Sequence, residues 1–366
     1  MKINTDLEAS KVMDAIHAHP ALSIVLPIEA RISLKTEMNH LLKITADKAA
    51  RELQDHYPKE QCEVVMKRLY ALIANLDIPP KKKGMVLYVS PLFAKVIYLD
   101  FPVVERLVID ESFEIRDLFY NAKQQVNFIL LVISAKKCQV YLGDCTSLIP
   151  AQSHVPKSVH AFINDSSERV GNFSDIIEHN QIIVDKFLIH IDDSLGKLIN
   201  QHHLPVLLLG AEGILGQFKK LSKHTEWFMD SVAGNYERAT IPRLLEIIAP
   251  SLHHWKIARQ QKLLDQLDQA AAQDRLAYGI IDVWKEVQRI KGKLLMVEKS
   301  YHFIAQHGSD PSIIAPAIEP YDHSIYIHDA VDDVIEKLLT SGGDVEFVDD
   351  GVLEHYEHIA LIKFYP

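Results

Sequence analysis

Apolar residues along this chain follow two rhythms, one of period two and one of period 3.6, and the rhythms alternate. The first rhythm to stand out is Leu22-Ser-Ile-Val-Leu-Pro27, a strand preceded by a helix around Ser10 to His17. Thr36 to Tyr57 carries Leu41, Leu42, Thr45, Ala49 and Leu53 at helical spacing, and Lys59 to Asn75 does the same with Val64, Val65, Leu69, Leu72 and Ile73. The prolines, lysines and glycine at 79–84 break both rhythms and mark a solvated turn. Met85–Ser90 and Lys95–Leu99 predict a hairpin, and Phe113 to Gln124 a short helix.

From Val126 the texture changes. Phe128-Ile-Leu-Leu-Val-Ile133 is apolar on both faces and predicts a central, buried strand, with a turn at Lys136-Lys137 and a returning strand from Cys138 to Leu142. Thr146 to Asp175 is a polar loop of about 30 residues, a length that marks function or mobility. Glu178 to Gln201 predicts a helix with Ile182, Ile183, Phe187, Ile191, Leu195 and Leu198 inward. Leu204 to Gly210 is a second buried strand, leading into a helix that ends near Leu221. Strand, helix, strand, helix implies parallel pairing with right-handed crossovers. Thr240 to Ala272 is helical, with Pro250 as an interruption, and the alternation resumes beyond it. A helix at Ala277–Gln288 precedes a strand at Lys293–Val297 and an irregular stretch from His307 to Asp322. A helix at Ile327–Ser341 is stopped by Gly342-Gly343, and strands at Val345–Val348 and His358–Phe364 finish the chain. The fold class is therefore α/β, in three modules: 1–125, 126–255 and 256–366.

Composition narrows the function. Across 366 residues, 48% hydrophobic and 24% charged is globular and needs more than one core. The first 20 residues lack the pattern of a secretory signal, and the longest apolar runs are too short for a bilayer span, so a cytoplasmic protein without a membrane partner is expected. Cys62, Cys138 and Cys145 are odd in number, widely spaced and in no CxxC pair, as in a reduced compartment. A net charge of −10 gives no global field to draw in a phosphate backbone, so nucleic-acid contact would need a local basic patch.

The buried hairpin, long polar loop, long helix and Pro205-Val-Leu-Leu-Leu-Gly210 strand, in that order, resemble the middle domain of archaeal and eukaryotic peptide release factors and Pelota. The ending, from Gly342-Gly-Asp-Val-Glu-Phe-Val-Asp-Asp-Gly to Ile359-Ala-Leu-Ile-Lys-Phe-Tyr365, resembles their carboxy-terminal domain. Leu26-Pro27 and the Tyr88-Val-Ser90 strand are similar to the amino-terminal region of the bacterial archaeo-eukaryotic release factor families, the third of them in particular. The resemblance implies a middle domain with a mixed sheet of ribonuclease-H-like type. It also implies a C-terminal α/β/α sandwich like the ribosomal proteins that bind kink-turns. It points to the ribosome or tRNA as partner, with no cofactor. Those factors cleave peptidyl-tRNA with a Gly-Gly-Gln tripeptide at the tip of the loop, where two glycines reach torsions closed to other residues and a backbone amide stabilises the oxyanion. Here the matching loop holds one glycine, Gly171, followed by Asn172, and its glutamine, Gln152, is distant from both. Lys157 and Arg169 face Asp165, Glu168 and Asp175, an acidic balance. A non-catalytic ribosome- or tRNA-associated factor is the expectation.

Two other classes stay open: a hydrolase or nuclease working from the 146–175 loop, and a protein-interaction module without RNA. For the enzyme, His154, His160, Asp165, Ser166 and Glu168 could form a general acid–base cluster, against the plainer view of a polar surface loop. For RNA contact, Lys219, Lys220 and Lys223, with His224 beside them, form one basic group, and Lys256, Arg259 and Lys262 form a second along one side of a helix, where each could also be a solvated face. His17 with His19, His202-His203, His253-His254 and His355 with His358 could each begin a metal site, the last as an i, i+3 pair beside Asp349-Asp350, but a site needs three ligands and no HExxH-type signature occurs, so none is expected. Gly210-Ala-Glu-Gly213 matches no phosphate-binding fingerprint, and Glu212 would repel phosphate, which leaves a tight strand-to-helix turn.

Overall fold

The computed structural model describes residues 11–15, 19–28, 34–79, 82–124, 126–151, 155–156, 158–159, 173–289, 292–308, 310, 312–317 and 326–365. Its contacts group into two units, one of residues 125–262 and one that joins 3–124 to 263–366.

In the first unit, β5 (Phe128–Ile133) is the central strand of a five-stranded sheet ordered β7-β6-β5-β8-β9. It pairs antiparallel with β6 (Cys138–Gly143) and parallel with β8 (Val206–Gly210). β7 (Leu148–Pro150) and β9 (Phe228–Ala233) form the edges. All six residues of β5 are buried because each face meets helices. Ile129, Leu131 and Ile133 pack under α4 (Phe173–His202) and α5 (Glu212–Leu221). Phe128, Leu130 and Val132 pack against Leu244, Ile248 and Leu252 of α6 (Ile241–Ala271). Each such side chain contributes about 1.5–3 kcal/mol on burial, so this strand anchors both layers. The result is the expected mixed sheet of ribonuclease-H-like type.

Several local expectations shift. The stretch from Thr146 carries a third strand, β7, and α4 starts at Phe173, five residues early. Val155 and Val159 return to the core, and Val159 N–H donates to the Lys136 carbonyl at 2.9 Å. α6 runs unbroken through Pro250, whose exposed position leaves water available to the carbonyl that loses its donor. Ile182 is 51% exposed, so the inward stripe of α4 passes through Ile183 instead.

The second unit starts from β1 (Ala21–Pro27), inside a four-stranded antiparallel sheet with β2 (Gly84–Val89), β3 (Ala94–Leu99) and β4 (Arg106–Asp110), ordered β3-β2-β1-β4. Period-two alternation splits its apolar run between two cores. Leu22, Ile24 and Leu26 face α1 (Leu34–His56) and α2 (Lys59–Ala74). Ala21 and Val25 share a second core with Ile115 and Leu118 and with residues such as Val283, Val331 and Leu338. On α2 the inward face is Cys62, Val65, Met66 and Leu69, while Val64 is 44% exposed. α3 (Arg116–Gln124) follows β4.

The last hundred residues form the expected α/β/α sandwich. Its sheet is ordered β10-β16-β11-β15, from β10 (Leu276–Tyr278), β11 (Gly292–Glu298), β15 (Asp344–Val348) and β16 (Ile359–Lys363). α7 (Ile280–Gln288) and α8 (Ala330–Thr340) cover one face, and Leu263, Leu267 and Ala270 of α6 cover the other. A small sheet of β12 (Ala305–His307), β13 (Ile314–Pro316) and β14 (Tyr326–Ile327) takes its middle-numbered strand, β13, from the stretch expected to be irregular and its other two from the flanks of that stretch. α8 starts at Ala330 and not Ile327, because the Asp329 carboxylate accepts the Val331 N–H and caps the helix.

Candidate functional site

The two basic groups lie on different layers of the first unit. Lys219 and Lys220 occupy the last turn of α5, where cations complement the helix dipole, and Lys223 follows directly. All three are exposed. Lys219 donates to Ser231 Oγ at 2.6 Å, which ties the cluster to β9. The chain after α5 is held by Asp192, 2% exposed, which accepts from Ser222 Oγ and, at 2.9 Å, from Lys223 N–H. His224 Nδ1 lies 3.1 Å from the same carboxylate. Lys256, Arg259 and Lys262 belong to α6, whose buried residues Leu244, Ile248 and Leu252 pack on the opposite face of the sheet from α5. Lys256 and Arg259 are half-buried, and the Arg259 guanidinium stands 5.7 Å from the centroid of the Trp255 ring. The structure therefore does not bring the two groups together.

The acid–base candidates His154, His160, Asp165, Ser166 and Glu168 lie outside the described residues, as do His17, Gln152, Lys157, Arg169, Gly171 and Asn172. The remaining histidine pairs are separate. His358 Nδ1 is 2.8 Å from Glu298, whose other oxygen accepts the Leu353 N–H at 2.7 Å, while His355 is exposed. Among the described residues no group of three or more His, Cys, Asp or Glu could hold a metal ion, and no helix is long and apolar enough to cross a membrane. Gly210 closes β8 because a Cβ there would sit 2.4 Å from the Ile133 carbonyl oxygen, whereas Gly213 faces open space. Close packing of two parallel strands accounts for the first glycine without a phosphate.

Sequence reasoning passed over a charged cluster in the second unit, built from residues 106–117 and 302–333. Arg116, 3% exposed, donates from Nη1 to Asp329 at 2.9 Å and from Nη2 to the Tyr301 carbonyl, with His302 Nδ1 2.7 Å away. Asp332 accepts the backbone N–H groups of Ile115, at 3.1 Å, and Arg116, at 2.8 Å, where α3 begins. Arg106 reaches Asp117 and sits 3.5 Å from Glu114. Burial pushes the Glu114 carboxyl up although Arg106 and His328 oppose it, and burial together with Glu114 pushes Asp332 well above the usual range. Asp329 goes the other way: burial raises it, but the His302 hydrogen bond and the Arg116 charge hold it below its ordinary value.

Beside this cluster opens a cleft of about 790 Å³, walled by α1, the end of β4, α7 and α8. Its carboxylates come from Glu52, Asp110, Glu111, Asp333 and Glu336. Asp333 is pushed up to about 8 by burial first and then by repulsion from Asp110 and Glu336. These contributors are brought together by the tertiary fold across nearly 300 residues, and no motif in the sequence signals them.

With this geometry in view, the middle part of the chain is similar to a release-factor-like family. Residues 127–290 match the family model described as Bacterial archaeo-eukaryotic release factor family 3, which meets the expected resemblance over the middle region and the first part of the C-terminal sandwich. No curated protein is similar enough to count as a match. Among solved structures, the archaeal translation termination factor aRF1 matches at 15% identity with a TM-score of 0.25, covering 100% of this chain and 98% of that one. Dom34 of S. cerevisiae, a translation termination-like factor, matches at 15% identity and a TM-score of 0.42, covering 80% and 76%. Ribosome-bound archaeal Pelota matches at 11% and 0.45, covering 99% and 94%.

Proposed function

We propose that this protein is a non-catalytic translation factor that associates with the ribosome or tRNA by occupying a site. The observation that carries this reading is the family match over 127–290 in a chain whose single Gly-Gly pair, Gly342-Gly343, is followed by Asp344 and lies at the end of α8 instead of in the middle-region loop. Without two adjacent glycines and a glutamine in that loop, the backbone cannot form the water-positioning tip that peptide release requires. RNA contact is assigned to the α5 end, through Lys219, Lys220 and Lys223, because those three cations are exposed and share one turn and its exit. The α6 group is less suited, with Lys256 and Arg259 half-buried and Arg259 engaged with Trp255. The hydrolase alternative rests on loop residues outside the described part of the chain.

Co-sedimentation with ribosomes at low salt, followed by a salt titration, tests this. Binding is expected, and a Lys219→Gln/Lys220→Gln/Lys223→Gln variant should weaken it and flatten the salt dependence by about 0.7–0.9 per lost phosphate contact. No ribosome association under any stalled condition defeats the proposal. Release of peptide from peptidyl-tRNA by the pure protein defeats its non-catalytic half.

A further inference from the structure

We propose that the basic turn at the end of α5 binds single-stranded RNA, with phosphates on its lysines and an unpaired base stacked on His203 and Trp227. The proposal rests on the assignment of RNA contact to Lys219, Lys220 and Lys223, and it names the form of RNA that they meet. The segment that follows those lysines is laid along α4. Asp192 accepts from Ser222 Oγ and from Lys223 N–H, and the His224 ring covers Gly196, where a Cβ would sit 2.5 Å from Nε2. A single 3₁₀ turn, Thr225–Trp227, then brings Trp227 to His203, the residue after α4 ends. The contacts at 192, 196 and 203 follow α4 in order, and from Gly196 to His203 a helix rises about 10 Å. Cations therefore stand at one end of this strip and rings at the other.

The ring centroids of His203 and Trp227 are 6.4 Å apart, and the planes meet at 30°. Trp227 is half-buried against the core under α4 and α5, which fixes it, while His203 is exposed. His203 has a φ of 52°, in the left-handed region that favours glycine, and its N–H donates to the Ile199 carbonyl at 2.7 Å to close α4. Glycine would end the helix with less strain, but it would leave Trp227 without its neighbouring ring.

The charge on the strip selects the form of RNA. Among the described residues no carboxylate pairs with any of the three lysines, and Lys219 donates only to Ser231 Oγ. Glu226 and Asp230 are exposed in the segment that follows, so the positive excess is small. A duplex offers phosphates and no free base face, and a few cations hold it weakly. A single strand adds stacking on the rings, which tolerates any base.

Fluorescence anisotropy of a labelled oligoadenylate of about 12 nucleotides with the full-length protein tests this. The comparison RNAs are a duplex of the same length and an abasic strand, which keeps the phosphates and lacks the bases. Oligoadenylate is expected to bind tightest. His203→Gly suits the local backbone and should keep the fold, yet weaken oligoadenylate at least about fivefold with the salt dependence of the parent. His203→Tyr keeps a ring without an imidazole and should bind as the parent does. Equal binding of the three RNAs overturns the proposal, as does parental affinity in His203→Gly. A shallower salt dependence in His203→Gly also overturns it, since the histidine would then be a phosphate contact. If Lys219→Gln/Lys220→Gln/Lys223→Gln still weakens binding in any of those cases, the α5 contact stands and the stacking alone falls. No binding of any RNA, or no effect of the lysine changes, overturns the stacking together with the RNA contact on which it rests.

Discussion

Replacing Arg116 with methionine tests how residues 3–124 are joined to residues 263–366. The guanidinium is nearly inaccessible and is shared by Asp329, His302 and the Tyr301 carbonyl. Removing one partner of a buried ion pair costs about 3–5 kcal/mol, because the remaining charge stays buried without compensation. Asp329 keeps the N–H groups of Phe303 and Val331, each at 3.1 Å, and the His302 ring at 2.7 Å, which places the loss near the low end, about 3 kcal/mol. For a unit of this size that corresponds to a fall in Tm of about 6–12 °C. Trp284 is the tryptophan of this unit, so urea unfolding followed by its fluorescence in a Trp227→Phe/Trp255→Phe background reads the unit directly. Adding Asp329→Asn to Arg116→Met should recover more than about 1 kcal/mol, since the orphaned charge is then gone. A loss below about 1 kcal/mol for Arg116→Met, with no recovery in the double variant, would refute the view that this pair clamps the unit.

Two further outcomes follow from the same physics. Asp333 titrates near 8 in the folded chain and near 3.8 when unfolded, so its contribution to stability is full below about 3.8 and is lost as pH rises through about 8. Between pH 5 and pH 9 the second unit should lose on the order of 3 kcal/mol on this account, allowing for partial solvent access, and Asp333→Asn should remove that share of the slope. An unchanged slope in the variant, measured by urea unfolding at both pH values, would count against the assignment. In the first unit, Gly210→Ala should destabilise by about 1–3 kcal/mol, because its new methyl group meets the Ile133 carbonyl and not a flexible side chain. Gly213→Ala, in open space within α5, should be neutral or slightly stabilising, and thermal melts of both glycine variants check the pair.

Elements whose side chains see a single local rule were legible. The apolar run of β5, its hairpin with β6 and its parallel partner β8 follow from composition and spacing alone. The elements that escaped have weaker patterns. β4 is short and half-exposed, β9 has no fully buried residue, and β10 was absorbed into a helix that starts only after Gly279, where a φ of 73° suits glycine. Val64 and Ile182 misled because an apolar residue on a helix is not obliged to face inward, and the neighbouring register at Val65 and Ile183 meets the sheet instead.

The sequence by itself determined the order of the long helices and the most apolar strands, the doubly covered central strands, the lack of a Gly-Gly-Gln tip and the two basic groups. Only the tertiary structure decided that those groups lie on opposite layers of one sheet, since helix periodicity orients a residue about its own axis and says nothing of which sheet face the helix covers. Only the tertiary structure, too, set Arg116 against Asp329 and gathered five carboxylates around one cleft. Such contacts join residues more than 200 positions apart. Electrostatic energy depends on distance and burial in space, and neither is written in the local pattern of the chain.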